Sequence, residues 1–211
     1  MDLKSAAFVF CILISAATAV ITDSRVQKIA AFFFRPFTIM LMIGYLLEAV
    51  PNSFYRNAMA AALVLCLLGD TMMMLKKKKF LTGLAFFLGA LGVLIVAFWS
   101  RVEKPFLGWP VIPLLAVAAV ILFFIWPGLK NERLPVIFYL LALLTMVRLG
   151  LEQPHQSPGA GPWLAAAGSI LFLISDALLA LNRFYRPFRA AQPAILSTFY
   201  LALLALTLSV L

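Results

Sequence analysis

Eight long apolar stretches divide the 211-residue chain, and they constrain its fold more than any other feature. Each has close to the ~20 residues that an α-helix needs to cross a bilayer. The chain is 64% hydrophobic and only 12% charged. A soluble protein of this size has too little interior to bury so much apolar surface, because its exterior must face water. We therefore predict an all-α, polytopic membrane protein, and we exclude a soluble enzyme, a disordered chain and a nucleic-acid-binding domain.

The apolar stretches end at charged residues or at Pro, Gly and Asn, which commonly bound helices. The predicted helices form one membrane domain over residues 1–211, and they lie at Ser5–Thr22, Ile29–Leu47, Asn57–Leu75, Phe80–Ser100, Phe106–Leu129, Leu134–Gly150, Gly161–Leu181 and Ala191–Leu211. Pro and Trp residues such as Trp109 crowd the ends of the fifth, which narrows its regular core to Val111–Ile125. The first stretch also resembles a signal peptide, but an uncleaved helix fits the regular series of spans better.

Basic residues predict the orientation, because Lys and Arg concentrate in cytoplasmic loops. Twelve of the 17 follow odd-numbered helices, and five lie on the other side. We therefore expect a protein of a bacterial inner membrane with both termini on the non-cytoplasmic side. The run Lys76–Lys79 lacks the interleaved aromatic residues that would stack on bases, so we interpret it as an anchor at anionic headgroups. The predicted partners are membrane lipids and no nucleic acid; the oligomeric state is left open.

Two carboxylates interrupt the apolar helices. Asp70 and Asp176 have apolar residues on both sides, and a charge at mid-membrane costs ~2.5–3.5 kcal/mol on insertion scales. Asp70 precedes Lys76 by six residues and Asp176 precedes Arg183 by seven, which is ~9 and ~10 Å of helix. We predict that both acids lie at one depth in the cytoplasmic half of the membrane and face the interior of the helix bundle.

Other side chains are positioned to meet these acids. Arg35 enters the second helix from the same side, two turns deep if the helix begins before Pro36, and Tyr139 reaches a similar depth in the sixth. Ser175 would hydrogen-bond a substrate oxygen or a water. A purely structural interpretation also stands: Arg35 would pair with a carboxylate only to fix packing, and Gly69 and Ser175 would serve close helix contact.

Metal, redox and triad chemistry find little support in the chain. Its single histidine, His155, lies in a predicted loop on the opposite side, whereas zinc needs about three converging ligands. Cys11 and Cys66 fall inside predicted helices as packing residues. We predict no metal and no cofactor. Two carboxylates can divide acid and base work in a hydrolase, carry protons in a transporter or hold a lipid-binding scaffold together, and composition does not separate these.

A weak internal repeat accompanies the two acids. Asp70 and Asp176 are 106 residues and four helices apart, and each is followed by leucine and basic residues. Pro36 and Pro135 stand near the starts of the second and sixth helices. These parallels suggest a four-plus-four pseudo-repeat with paired sites at its interface.

The segments around both acids resemble the two signatures of the YhhN family, the lysoplasmalogenase group. Leu67–Asp70 with Phe80–Leu84 is similar to the first signature, and Ala167–Ala180 with Phe184 is similar to the second. Further matches are Arg35, Pro36, Pro135, Val136, Tyr139 and Met146. The resemblance covers nearly the whole chain. It lacks three polar side chains of the family, at the positions of Leu91 and Leu94 in the fourth helix and Leu203 in the eighth.

The resemblance implies a hydrolase that cleaves the vinyl ether of lysoplasmalogens, which are lysophospholipids, to a fatty aldehyde and a glycerophospho-base. Asp70 and Asp176 are then the catalytic pair: one protonates the vinyl carbon, and the other orients water toward the oxocarbenium ion. The implied binding and supporting residues are Arg35, Tyr139, Ser175, Gly69 and Tyr200. The alternative is a proton-coupled transporter or binder of a lipid or amphiphile that uses the same two aspartates.

Overall fold

A computed structural model describes residues 3–24, 28–75, 80–103, 108 and 110–211. At residues 3, 4, 24, 28 and 131 it describes the backbone only. Within these ranges the chain folds into eight α-helices and no strands. They are α1 (Leu3–Ser24), α2 (Lys28–Ala49), α3 (Phe54–Leu75), α4 (Phe80–Trp99), α5 (Val111–Ile125), α6 (Arg133–Gln156), α7 (Ala160–Ala180) and α8 (Ala191–Leu208). Each span is long and apolar enough to cross a membrane, the fifth when it is continued to Gly128. The predicted all-α, eight-helix fold is confirmed.

Two helical segments continue well beyond their predicted ends. Helix α6 continues past Gly150 to Gln156 and contains Pro154, so the prediction that His155 lies in a loop is wrong. An ion pair between Arg148 and Glu152, at 3.2 Å and four residues apart, supports the extra turns. Helix α7 continues into a π-helical segment over Leu181–Tyr185.

Helix α5 is regular only over Val111–Ile125, as predicted, and two 3₁₀ turns follow it at Trp126–Gly128 and Lys130–Glu132. Phe106, the predicted first residue of this span, lies outside the described residues, as do Trp109 and the Lys76–Lys79 run.

Seven of the described helices form a closed ring. Helices α1, α2, α3, α4, α6, α7 and α8 each pack against the next in this order, and α8 packs back against α1. Helix α5 lies outside the ring, against α6 and the π-helical segment, and buries only Ala118 and Ile125. The four-plus-four pseudo-repeat would pair the first helix with the fifth. It stays a prediction, and these two helices occupy different places.

Small residues set the close contact between α3 and α4. A Cβ atom on Gly69 would lie 2.8 Å from the ring of Phe87 and 3.2 Å from the carbonyl oxygen of Gly83. One on Gly83 would lie 2.7 Å from Met73. Because lipid gives helices no hydrophobic reason to associate, such close backbone approach supplies much of the packing.

We call the end of the bundle that carries the α1–α2, α3–α4, α5–α6 and α7–α8 links the basic end. Described residues at this end contact one another: Arg183 forms an ion pair with Glu132 at 3.5 Å, and the rings of Phe80 and Phe184 lie 5.7 Å apart. A Cβ atom on Gly128 would overlap the carbonyl oxygen of Phe184. Glycine at position 128 therefore lets the turn after α5 rest on the backbone of the π-helical segment.

Candidate functional site

A cavity of about 730 Å³ lies inside the ring near the basic end, and both Asp70 and Asp176 line it. Residues of α1, α2, α3, α4, α7 and α8 contribute to its wall. The buried thiol of Cys66 lies near both carboxylates. The structure therefore brings together two acids that stand 106 positions apart in the sequence.

Asp70 is held by a guanidinium. Arg35 Nε donates to Asp70 Oδ2 at 3.1 Å, and Arg35 Nη2 donates to Asp70 Oδ1. The remaining terminal nitrogen, Nη1, donates to Asp23 Oδ1 at 3.2 Å. Helix α2 begins at Lys28, so Arg35 lies two turns inside it. Arg35 and Asp70 are 8% and 5% exposed, and a two-point guanidinium contact of this kind fixes both charge and orientation.

Asp176 has a different environment. The hydroxyl of Tyr139 donates to Asp176 Oδ2 at 2.6 Å. Within the described residues no Lys, Arg or His forms an ion pair with Asp176. Asp176 therefore has a neutral phenol as its partner, whereas Asp70 has a permanent cation.

Asp176 also lines a second, apolar pocket of about 50 Å³. Tyr139 and Asp176 are its polar wall residues; the apolar ones are Met73, Phe80, Leu84, Phe87, Ile121, Ile125, Val136, Leu140, Leu143, Leu173, Ala177, Leu179, Ala180 and Phe184. Asp176 thus lies where the large cavity meets an apolar pocket. We call the large cavity the polar cavity, because charged side chains such as Arg35, Asp70 and Arg183 line it together with apolar ones.

The large cavity is also lined by polar residues that the sequence did not assign to the site. Asn182 and Arg183 come from the π-helical segment, Gln192 from α8 and Asp23 from α1. Arg183 also lies 3.6 Å above the ring of Phe80. Its spacing of seven residues from Asp176 was the available signal, because positions i and i+7 share one helix face.

Some predicted site residues serve the protein's own packing. The hydroxyl of Ser175 donates to the carbonyl oxygen of Ile195 at 3.0 Å, which ties α7 to α8, although Ser175 also lines the large cavity. Gly69 is packed against α4 and is absent from the described wall of either space. Tyr200 has its hydroxyl buried beside Arg35, and it also lines a separate groove between α1 and α8.

The three leucines that we expect at polar positions of the family lie in the hydrophobic core. Leu91 is fully buried, and Leu94 and Leu203 are each 1% exposed. None of them is among the described residues that line the large cavity or the apolar pocket.

In residues 3–24, 28–75, 80–103, 108 and 110–211, no three His, Cys, Asp or Glu side chains are grouped as metal ligands would be. Around the two acids the structure places a phenol, guanidinium groups, side-chain amides and the hydroxyl of Ser175.

Comparison with known proteins shows the family to which the chain is related. The sequence model of the YhhN family matches residues 30–210. The chain belongs to the YhhN family. Human lysoplasmalogenase TMEM86B is 30% identical over 173 residues, which cover 82% of this chain and 72% of that protein. A relative named uncharacterized membrane protein YhhN, from Escherichia coli O6:H1, is 30% identical over 159 residues, or 74% of this chain and 76% of its own. No solved structure matches the chain.

The YhhN-family region contains both acids, Asp70 and Asp176, and their direct partners Arg35 and Tyr139. Asp23 belongs to α1 and lies before the matched residues. The contact between Asp23 and Arg35 therefore adds a residue from outside the family match to the network around Asp70.

Proposed function

We propose that this YhhN-family protein is a membrane hydrolase that cleaves the vinyl ether of lysoplasmalogen-type lysophospholipids. The observation that carries the proposal is the position of Asp176 between a polar cavity and an apolar pocket. An amphiphile held across this boundary has the junction of its head and tail at the carboxyl. In a lysoplasmalogen the vinyl ether is at that junction. Similarity to a protein named lysoplasmalogenase supports the same chemistry.

The surroundings of the two acids support different roles for them. Asp70 is matched to the fixed charge of Arg35, whose two hydrogen bonds hold both carboxylate oxygens in place as acceptors. Asp176 has a phenol at one oxygen and apolar side chains around it. We assign Asp176 as the proton donor and Asp70 as the carboxylate that orients water, a division set by environment.

The reaction then follows in balanced steps. Asp176 transfers its proton to the vinyl carbon remote from the ether oxygen, which leaves an oxocarbenium ion at the carbon beside that oxygen. Water oriented by Asp70 adds to that carbon and returns one proton to Asp176, which forms a neutral hemiacetal. A proton then moves from the hemiacetal hydroxyl to the glycerol oxygen as the carbon–oxygen bond breaks. The products are a fatty aldehyde and a glycerophospho-base.

The polar cavity suits the headgroup of such a substrate. Arg183 and Asn182 line it, and a guanidinium is a good partner for a phosphate. The excess of Lys and Arg at the basic end favours a cytoplasmic location for that end. We propose that the headgroup and the catalytic water reach the acids from the cytoplasmic side.

The test is aldehyde release by the purified protein from a lysoplasmalogen in D₂O. We expect aldehyde that carries one deuterium on the carbon beside the carbonyl, because the exchangeable proton of the acid is delivered there. The matched substrate with a saturated ether should yield no aldehyde. Asp176→Asn should release little, whereas Glu48→Gln, which neutralises an exposed acid of α2 away from the site, should match the wild type.

Two results would overturn the proposal. One is an Asp176→Asn variant with wild-type turnover. The other is a folded wild type that releases no aldehyde but takes lipid into vesicles only under a pH gradient, which would favour the transporter.

A further inference from the structure

The apolar pocket beside Asp176 has a helix outside the ring as part of its wall. Ile121 and Ile125 of α5 line it together with residues of α6 and α7. Other α5 side chains point away from the protein, with Ile112 and Phe123 each 77% exposed and Val120 56% exposed. Helix α5 therefore separates the pocket from the surrounding lipid.

The size of the pocket limits what it holds. Its volume of about 50 Å³ has room for a few water-sized groups, since a cavity needs only about 10–15 Å³ measured with a water-sized probe to hold one water. A fatty chain is much longer, so only the carbons nearest the reacting bond fit beside Asp176. The rest of the chain has to continue beyond the pocket wall.

Resting on the proposed function, we infer that the apolar pocket is the tail site for a single alkyl chain. Its first carbons lie between Tyr139, Leu140 and Ile121, and the remainder passes α5 into the bilayer. Continuity carries this assignment: the pocket shares Asp176, Met73 and Phe87 with the polar cavity. The larger groove between α1 and α8 has a volume of about 340 Å³ but contains neither acid.

The arrangement has a consequence for access. A lysolipid that lies in the bilayer can slide its tail along α5 without passing through the ring. Helix α5 fully buries only Ala118 and Ile125, and Leu114, Ile121 and Leu122 pack partly buried against the core.

The experiment uses a lysophosphatidylcholine with a saturated ether-linked chain, which the enzyme cannot cleave, and a diazirine on the fourth carbon of that chain. The full-length protein in nanodiscs is photolabelled with and without excess unlabelled lysolipid, and the labelled residues are mapped by mass spectrometry. We expect the competed label within 111–144, on α5 and the first half of α6. Competed label on residues 12–21 and 197–204, in the α1–α8 groove, would overturn the inference.

Matched variants on one helix sharpen the test. Ile121→Trp fills the pocket, whereas Val120→Trp adds the same bulk to the neighbouring lipid-facing position. We expect Ile121→Trp to weaken probe binding about tenfold, which corresponds to the loss of two buried methylenes, and Val120→Trp to leave it unchanged. Equal effects of the two variants would contradict the tail site. If Ile121→Trp does not fold, the wild-type label map decides alone.

The readouts also separate this inference from the proposed function. Competed label on α5 and α6 in a protein that releases no aldehyde would leave the tail site standing and remove the hydrolase. Aldehyde release with the competed label elsewhere would keep the hydrolase and remove the tail site.

Discussion

Asp70 and Asp176 line one cavity, yet their surroundings differ in charge and in polarity. Asp70 is tied by two hydrogen bonds to Arg35, which also reaches Asp23. Asp176 accepts one hydrogen bond from Tyr139 and borders an apolar pocket. The comparison teaches that an acid inside a membrane helix is not by itself a catalyst. Its neighbours decide whether it balances a charge or carries a proton.

The largest effect on rate is expected at Asp176. Asp176→Asn removes the proposed proton donor, and the loss of a general acid lowers turnover by roughly 10²–10⁴-fold. The amide oxygen still accepts from Tyr139, so the melting temperature in detergent should barely change. A stable Asp176→Asn variant with normal turnover would remove the distinction between the two acids.

The largest effect on stability is expected at Asp70. Asp70→Asn leaves the buried charge of Arg35 without its main partner, and breaking such a pair costs about 3–5 kcal/mol of unfolding free energy. The double variant Asp70→Asn/Arg35→Met removes both charges and should recover much of that stability, but not the turnover. If the double variant is no more stable than Asp70→Asn, the pair is not the source of the loss.

An intermediate effect is expected at Tyr139. Tyr139→Phe deletes one hydrogen bond to a carboxyl group, and such bonds contribute about 1.5–3 kcal/mol. We expect kcat to fall tenfold or more with KM little changed, because the phenol orients Asp176 and does not hold the headgroup. Tyr45→Phe is the matched control, since the buried Tyr45 hydroxyl forms no hydrogen bond within the described part of the chain. Parallel losses in both variants would indicate a packing effect instead.

The smallest effect is expected at Asp23. Its side chain is 17% exposed, and Arg35 keeps both bonds to Asp70 when Asp23 is neutralised. Asp23→Asn should therefore change the unfolding free energy by about 1 kcal/mol or less and turnover by a few-fold at most. A loss as large as that of Asp70→Asn would show that Arg35 depends on both carboxylates equally.

Most of the fold could be predicted from the sequence, because the length of an apolar segment and the charged residues at its ends indicate a membrane helix. The extra turns of α6 could not be predicted, because Pro154 is typical of a helix end. The Arg148–Glu152 ion pair supports these turns, but the two residues come close only if the segment is already helical. The place of α5 outside the ring was also unpredictable. All eight segments are similarly apolar, so their sequence pattern does not show which helices contact mainly lipid and which contact mainly other helices.

The site was predictable in part, for a physical reason. Asp70, Asp176 and Arg35 stand out because charges inside apolar helices are costly. Ser175 and Gly69 do not, since a small residue looks the same whether it packs a helix or contacts a ligand. Arg183 was not assigned to the site, despite its spacing of seven residues from Asp176, because membrane topology already explains a basic residue at a helix end.

In the proposed reaction, the position of Asp176 between the polar cavity and the apolar pocket has a consequence for the products once the carbon–oxygen bond has broken. The glycerophospho-base is highly soluble in water and is released on the side of the polar cavity. The aldehyde has lost its polar anchor and remains with the apolar pocket and the lipid beyond α5. The two products thus partition into different phases as they form. Such a site makes the reverse reaction improbable without any lid, because the fragments do not meet again at the same surface.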